Sequence, residues 1–515
     1  MKHVKFAIVL IVLAAAGMLG WKYVVAPRLV QEKLLAGSDA GNRPVATAET
    51  LHVGGDTYAG YVGLSSSTFT KAMRKGAGTE FVVDDGDYET RLAKLASGEL
   101  EFVVMPLGCY VKYGAKRDYP GVIIAGIAES VGADGVVAMS EKLKTINDLN
   151  NPELKIVYVG GSASEYFWDV LVDNFGLDKL KGSTNWRKPV ASPKELLTAA
   201  ATGAGDVFVA WEPELTKISK TPGAHTIIDS ASLRGYLQDV LIVRREVVST
   251  RKTMVAMFLV EYFRGLNQYA ADRQRLIDDI ATLSGITPAE AAVLTKKVHW
   301  IGRGENAREL FGVGENSHDS IFDGVINAQK LLVRIGAFDK APLSDPARII
   351  NTELMQGVGA GDDSDKQLVI DFQALSEAEW KSQREVGTLR MDPVSFKSGD
   401  NLLDLAGKEQ VDAAVDLLAH YPDCRVAIRG HTVDVTAADE SEKRQLEEEN
   451  LKLSLERAQV VMQYMITTHG LNSNRLRAEG LGGSKPLPRR PGESQRAWRF
   501  RLPRVEFVLL QGKVL

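Results

Sequence analysis

Only two cysteines, Cys109 and Cys424, occur in 515 residues. They offer neither a disulfide framework nor metal-ligand spacing. So few thiols are compatible with an oxidising compartment without demonstrating one. No charge of one sign dominates: 62 Lys and Arg stand against 66 Asp and Glu, which argues against a nucleic-acid-binding body. The eight histidines, His225, His299 and His318 among them, form no HExxH and no i, i+4 metal pair. GxSxG, a P-loop and a GxGxxG in strand–turn–helix context are all missing, and there is no internal repeat. No catalytic residue, cofactor or metal is therefore expected. A hydrophobic share of 45% with 25% charged residues fits an ordinary folded protein with no polytopic membrane domain.

What is present starts at the N-terminus. Lys2 and Lys5 precede an apolar run from Phe6 to Trp21, which Lys22 interrupts. The run reads either as a cleavable secretory signal or as one membrane span. No Ala-x-Ala cut follows it, and LLAGS at 34–38 has Ser38 where a lipoprotein site requires cysteine. An uncleaved single-pass anchor in the inner membrane is the expectation. The basic flank keeps that end cytoplasmic and places the bulk of the chain in the periplasm.

The length exceeds what one hydrophobic core supports, so two or three domains are expected. Residues 1–26 are the anchor or signal segment, and the small, polar stretch 27–49 is a flexible linker spanning roughly 25–30 Å as a coil. Over 50–345, strand-like runs (LHVGG, EFVVDDG, FVVMP, GVIIAGIAE, GVVAM, KIVYVG, DVFVAW) alternate with amphipathic stretches such as ETRLAKLASG. This pattern predicts α/β layering with largely parallel sheets. Residues 346–385, which include the Gly- and Asp-rich TELMQGVGAGDDSDKQL, read as a linker. A smaller α/β unit follows at 386–512.

Within the larger domain, VYVGGSASEYFWDVL runs from strand through Gly160 and Gly161 into an apparent helix. Ser162 or Ser164 either caps that helix or donates to an anionic ligand at its N-terminus. The stretch from 51 to 342 resembles the periplasmic solute-binding proteins of the nitrate/sulfonate/taurine ABC-importer group. The matching pieces occur in family order: DTYAGYVGL, RLAKLASGELEFVVMP, ESVGADGVVAMSE, LNNPELKIVY, GSASEYF and DVFVAWEPEL. Glu101 replaces a usual aspartate, and the usual Gly-Lys pair before the second-lobe strand is absent. The resemblance implies a two-lobed (type 2) periplasmic-binding-protein fold that closes on one small anionic or zwitterionic solute, with a possible ABC permease as partner. Carried over by position, Tyr58, Gly60 and Tyr61 line the first lobe; Ser162, Ser164 and Trp211 face the ligand from the second. Glu212 at the rim either holds a cationic group or makes a structural salt bridge.

In the C-terminal unit, VSFKSGDNLLDLAGKEQVDAAVDLLAHYPDCRVAIRGHTVD reads as strand, loop, amphipathic helix and strand. Leu403, Ala406, Val411, Ala414, Leu417 and Leu418 fall near one helix face. A second helix carries NLKLSLERAQVVMQYMITTHGL, extended at its start by the charged run DESEKRQLEEEN; RLRAEGLGGSKP supplies a turn and RVEFVLL a last strand. These residues resemble the OmpA-like peptidoglycan-binding domain over nearly its whole length. The matches are Phe396, Gly399 and Leu403; Gly430, His431 and Thr432; Asn450, Leu453, Ser454, Arg457, Ala458 and Val461; Arg475, Gly480, Gly482 and Pro486; and Arg504, Val505 and Glu506. The resemblance implies a β-α-β-α-β sandwich that holds the diaminopimelate of a peptidoglycan stem peptide. By carry-over Arg457 clamps a carboxylate, Asp434 pairs with the ammonium, and Asn450 and Thr432 flank them. Val433 makes the motif GHTVD where the family has GHTD, and a one-residue slip turns Asp434 to the other face unless a bulge restores it. The basic stretch Arg489 to Arg504 either attracts an acidic polymer or keeps its edge strand soluble.

The chain thus reads as a membrane-anchored periplasmic receptor bound to peptidoglycan and serving ABC-type uptake or sensing. The alternative is a wall-anchored scaffold or sensor whose solute-binding-like domain contacts a membrane partner without transport.

Overall fold

A computed structural model describes residues 50–512, apart from 75–76, 182–183, 315–316, 318, 359–371, 398–400 and 434–438. The anchor and tether expected over 1–49 and the position Asp434 lie outside the described residues. Among the described residues no helix is long and apolar enough to cross a membrane.

The strands, in chain order, are β1 (Thr50–Gly55), β2 (Gly78–Val83), β3 (Phe102–Pro106), β4 (Gly121–Ser130), β5 (Asp134–Ala138), β6 (Ile156–Val159), β7 (Arg187–Val190), β8 (Val207–Trp211), β9 (His225–Asp229), β10 (Gln238–Arg244), β11 (Val298–Trp300), β12 (Arg384–Thr388), β13 (Arg425–His431), β14 (Leu476–Gly480) and β15 (Arg504–Gln511). The described chain divides into two compact units. One holds residues up to 129, 161–163 and 237 onward to the 359–371 gap; the other holds 130–160, 164–236 and the C-terminal part.

The first unit is built on a six-stranded sheet in the order β11-β4-β10-β3-β1-β2. β3 and nearly all of β4 are buried, so both faces of the sheet are covered, as their unbroken apolar runs require. β1 runs parallel to β2 and β3, but β10 inserts antiparallel between β3 and β4. The expectation of largely parallel sheets is corrected here to a mixed sheet. The chain leaves this unit after β4 and re-enters it through β10, which runs antiparallel to both of its neighbours. The helix Tyr88–Ser97 starts at Asp87, whose carboxylate accepts from the backbone N–H groups of Glu89 and Thr90.

The second unit contains two sheets. The first has the order β7-β6-β8-β5-β9, with β6 parallel to β7 and β8, and β5 antiparallel to β8 and β9. Its core gathers Val137, Val157, Val159, Leu196, Phe208 and Trp211. The second sheet has the order β12-β15-β13-β14; β13 is parallel to β14 and antiparallel to β15, and β12 is antiparallel to β15. Two helices pack with it, Leu405–Ala419 and Glu440–His469. On the longer helix Ser454, Ala458, Val461 and Met465 are buried, at the 4-3-4 spacing of one helical face. Residues 440–449 of the same helix are exposed apart from half-buried Leu446, so the charged run is a solvated extension, as its composition predicts.

The β-α-β-α-β order is corrected in two places. The first strand is β12, which begins at the end of the expected linker and not at Phe396; Phe396 makes only an isolated bridge to Leu403. Val386 of β12 is fully buried, and the strand takes the free edge of β15. The turn expected in RLRAEGLGG is the full strand β14. Ala406 is exposed, and Gly407 takes the inward position on the Leu405–Ala419 helix. The expected linker 346–385 also carries the helices Thr352–Val358 and Glu377–Ser382.

The two sheets of the second unit are joined by polar and aromatic contacts that sequence gave no hint of. Buried Asn174 donates to the Tyr421 hydroxyl (2.8 Å) and accepts from that of Tyr236 (3.4 Å). The His420 ring lies 4.5 Å from that of Tyr236, and its Nδ1 meets the Arg234 carbonyl at 2.8 Å. Arg384 donates to the Ile227 carbonyl (2.6 Å), and Gln511 to the Ser232 hydroxyl (2.9 Å). Residues 130–236 and the C-terminal sheet thus share one hydrogen-bonded seam, buried at Asn174 and Tyr421.

Candidate functional site

In the C-terminal sheet, β13 ends in Gly430-His431, with Thr432 next in the chain, and the Glu440–His469 helix crosses that end at Ser454. The approach is close. A Cβ on Gly430 would lie 1.9 Å from the Ser454 carbonyl oxygen, so no side chain larger than hydrogen fits there. Gly482 locks the same point: its N–H donates to the Ser454 hydroxyl (3.0 Å) and its carbonyl accepts from Thr432 N–H (2.9 Å). Asn450 donates to the Val433 carbonyl (3.3 Å), a loop-closing bond. The glycine and serine of the two motifs are therefore packing partners that fix where the helix sits.

Arg457 follows Ser454 by three residues, and so lies one turn along the same helix. Its guanidinium stands over the Phe396 ring, 5.1 Å from the centroid. Half-burial holds its pKa below the usual arginine value through desolvation. Among the described residues its Nε has no hydrogen-bond partner, and no carboxylate pairs with it. The buried hydroxyl of Thr432 likewise has no partner among them. The structure thus brings Thr432, Asn450 and Arg457 to one end of the domain. Sequence reading placed Phe396 in a strand and missed its role as the platform beneath Arg457.

His431 points elsewhere. Its Nε2 is 3.1 Å from Glu506, which also accepts from Arg504 Nε at 2.7 Å. Burial raises the Glu506 pKa, but the His431 and Arg504 contacts outweigh it and bring it down from 4.5 to about 2. A carboxyl with a depressed folded-state pKa stabilises the fold fully above its unfolded value, and loses that contribution as pH falls toward 2. The shift corresponds to something on the order of 3 kcal/mol. Urea midpoints measured between pH 5 and pH 2 should therefore fall, and Glu506→Gln should flatten that dependence.

Of the residues expected to face a solute, Tyr58, Gly60, Tyr61 and Ser162 belong to the first unit. Tyr58 and Tyr61 meet edge to face at 5.3 Å, and a Cβ on Gly60 would strike the Tyr58 ring at 2.4 Å. The Tyr61 hydroxyl donates to Asp239 (2.7 Å), and the Tyr58 N–H donates to Asp56 (2.9 Å). Asp56 pairs with Arg91 (2.9 Å), which is 0% exposed and also holds Asp84 (Nε to Oδ2, 2.7 Å). Burial raises the Asp56 pKa despite Arg91. Sequence reading missed this buried charge network. Its one signal was an arginine on the apolar face of ETRLAKLAS, in line with Tyr88, Leu92 and Leu95.

Ser164, Trp211 and Glu212 belong to the second unit. Ser162 and Ser164 are both buried at the start of the Ala163–Asn174 helix. Trp211 is a member of the apolar core described above. Glu212 accepts from the backbone N–H (3.1 Å) and hydroxyl (2.7 Å) of Thr216, so its carboxylate caps the Glu214–Ser219 helix. To the two roles expected of Glu212, holding a cationic group or making a structural salt bridge, these contacts add the binding of Thr216 at the start of that helix. Neither cysteine is in a disulfide, and both are buried. Among the described residues no group of three or more His, Cys, Asp or Glu could hold a metal ion.

Several solved structures are similar to the chain. The periplasmic aliphatic sulphonate binding protein SsuA from Escherichia coli is 15% identical with a TM-score of 0.45, over 60% of this chain and 99% of that one. The periplasmic nitrate-binding protein NrtA from Synechocystis PCC 6803 is 12% identical with a TM-score of 0.45, over 61% and 88%. The desulfurization enzyme DSZB is 12% identical with a TM-score of 0.41, over 60% and 98%. No curated protein matches the sequence. Residues 395–499 match the OmpA family, so the chain carries an OmpA-family domain at its C-terminal end.

Proposed function

We propose that this is a periplasmic envelope protein that grips peptidoglycan through its OmpA-family domain and presents a solute-binding domain, residues 50–345, on the same chain. An N-terminal span would hold the other end in the inner membrane, and the task would be ABC-type uptake or sensing without covalent chemistry. The observation that carries the wall assignment is Arg457: half-buried, stacked on Phe396, and without a carboxylate partner among the described residues. A planar guanidinium takes a carboxylate through two parallel hydrogen bonds, and partial desolvation strengthens both. The carboxylate of diaminopimelate in a stem peptide suits that fork, with the Thr432 hydroxyl beside it. Asp434 would take the ammonium. The full chain should therefore pellet with purified sacculi; retention in the supernatant at low ionic strength sinks the assignment.

For the solute, the carboxylate of buried Asp239, which accepts from the Tyr61 hydroxyl, favours a molecule bearing an ammonium group over a plain oxyanion such as nitrate; Asp56 is already paired with Arg91. A zwitterion of the taurine kind meets that field with its ammonium end. A second reading, a scaffold that binds no solute, is favoured by Trp211 in the core and by the capping role of Glu212. Thermal-shift measurements on the full chain separate the two. Amino-sulfonates should raise the melting temperature by several degrees while nitrate leaves it unmoved; silence across sulfonates, carboxylates and amino acids favours the scaffold.

A further inference from the structure

The segment between β14 and β15 carries a charge that the stem-peptide site does not use. Residues 484–504 contain seven basic side chains against one acidic, Glu493, in a chain whose formal net charge is −4. Glu493 is occupied by Arg501, with two contacts of 2.7 Å. Lys485, Arg489, Arg490, Arg496 and Arg499 are all exposed, and Phe500 at the end of the Gln495–Arg501 helix is 82% exposed. The segment is braced from within: the Trp498 indole donates to the Leu487 carbonyl (2.6 Å), and Arg501 donates to that of Pro488 (3.1 Å). Leu502 is fully buried and anchors its far end. Its near end is Gly482, which bonds both Thr432 and Ser454. The basic arm therefore springs from the same end of the domain as Arg457.

We infer that this arm is a second contact surface for the peptidoglycan strand, gripping stem-peptide carboxylates next along from the one held by Arg457; this rests on the wall-binding reading above. A polymer that repeats its carboxylates presents further anions to the exposed cations once one stem peptide is seated, so the second contact forms at high effective concentration. Phe500 presents an apolar ring to the C–H faces of the sugars between stem peptides. A membrane surface fits less well. Interfacial helices bury a broad apolar face, and this short helix exposes one large apolar residue among its arginines.

The test compares the full wild-type chain with a variant carrying Arg489→Gln, Arg490→Gln, Arg496→Gln and Arg499→Gln, and with Phe500→Ala alone, whose exposed ring leaves the core untouched. Co-sedimentation with purified sacculi is read at low and high salt, and binding of a soluble diaminopimelate stem peptide is read by calorimetry. The quadruple variant should lose about tenfold or more in sacculus affinity at low salt and converge with wild type near 1 M salt, where the screening length falls to about 3 Å. Phe500→Ala should lose a few-fold at both salt concentrations, and stem-peptide affinity should be unchanged in both variants. Sacculus affinity and salt dependence equal to wild type in both variants overturn the arm. So does pelleting with vesicles containing one-fifth phosphatidylglycerol that the quadruple change abolishes while sacculus binding stays intact. Failure of the wild-type chain to bind the stem peptide strikes at Arg457 instead, and leaves the salt dependence on sacculi as a separate reading of the arm.

Discussion

Gly430→Ala should cripple the OmpA-family domain, lowering its thermal unfolding midpoint by roughly 10–20 °C, the shift expected for a loss of about 3 kcal/mol in a domain of this size. The added methyl would sit 1.9 Å from the Ser454 carbonyl oxygen, 2.8 Å from its carbon and 3.2 Å from its Cα. All three are backbone atoms of a long helix, so no side-chain rotation relieves the clash. Sliding the helix outward would break the Gly482–Ser454 bond and open the packing of Gly480, whose own Cβ position is 2.7 Å from the Leu451 carbonyl oxygen. Overpacking commonly costs about 1–3 kcal/mol, and a rigid backbone contact belongs at the top of that range. Circular dichroism melts with limited proteolysis would check it. A midpoint within 2–3 °C of wild type, on the same scale, would mean that the helix sits farther from β13 than described here.

Arg457→Ala should lower sacculus affinity by at least about a hundredfold, because two charge-assisted hydrogen bonds, each worth about 1.5–3 kcal/mol, are lost together. The fold should be nearly unaffected. Removing the guanidinium from Phe396 costs about 0.5–1 kcal/mol, and no described ion pair is broken. Arg457→Lys separates charge from geometry. It keeps the cation but not the planar fork, so its affinity should fall between wild type and alanine. Equal retention of all three proteins on sacculi, measured by co-sedimentation, would remove Arg457 from the site.

These expectations rest on features that differ in how visible they were in sequence. The GHT and LS..RA segments were legible because each position has a local chemical reason: Gly430 and Ser454 need to approach closely, and Arg457 needs to reach out. Apolar runs such as GVIIAGIAE announced buried strands in the same way. Polar edge strands did not. β7, with the sequence RKPV, has no apolar alternation, and β12, with REVGT, sits just beyond a Gly- and Asp-rich stretch that reads as a linker. Arg91 was hidden because one buried cation looks like any other charge on an amphipathic helix until Asp56 and Asp84 come round to meet it. The seam from Asn174 to Tyr421 was invisible for a more general reason. Each residue alone suits a core or a turn, and only the tertiary fold pairs positions so far apart in sequence. Trp211 and Glu212 show the reverse case, in which residues that resemblance offers to a ligand are used by their own unit for packing and capping.

The most direct test of wall attachment is competition. Sacculi loaded with the full chain would be titrated with free diaminopimelate, and the protein remaining in the pellet measured. Release into the supernatant at rising diaminopimelate, with equimolar 1,5-diaminopentane having no effect because it lacks the carboxylate that Arg457 takes, is the predicted result. Pelleting that diaminopimelate leaves unchanged would contradict the central claim, whatever the affinity of the chain for the wall.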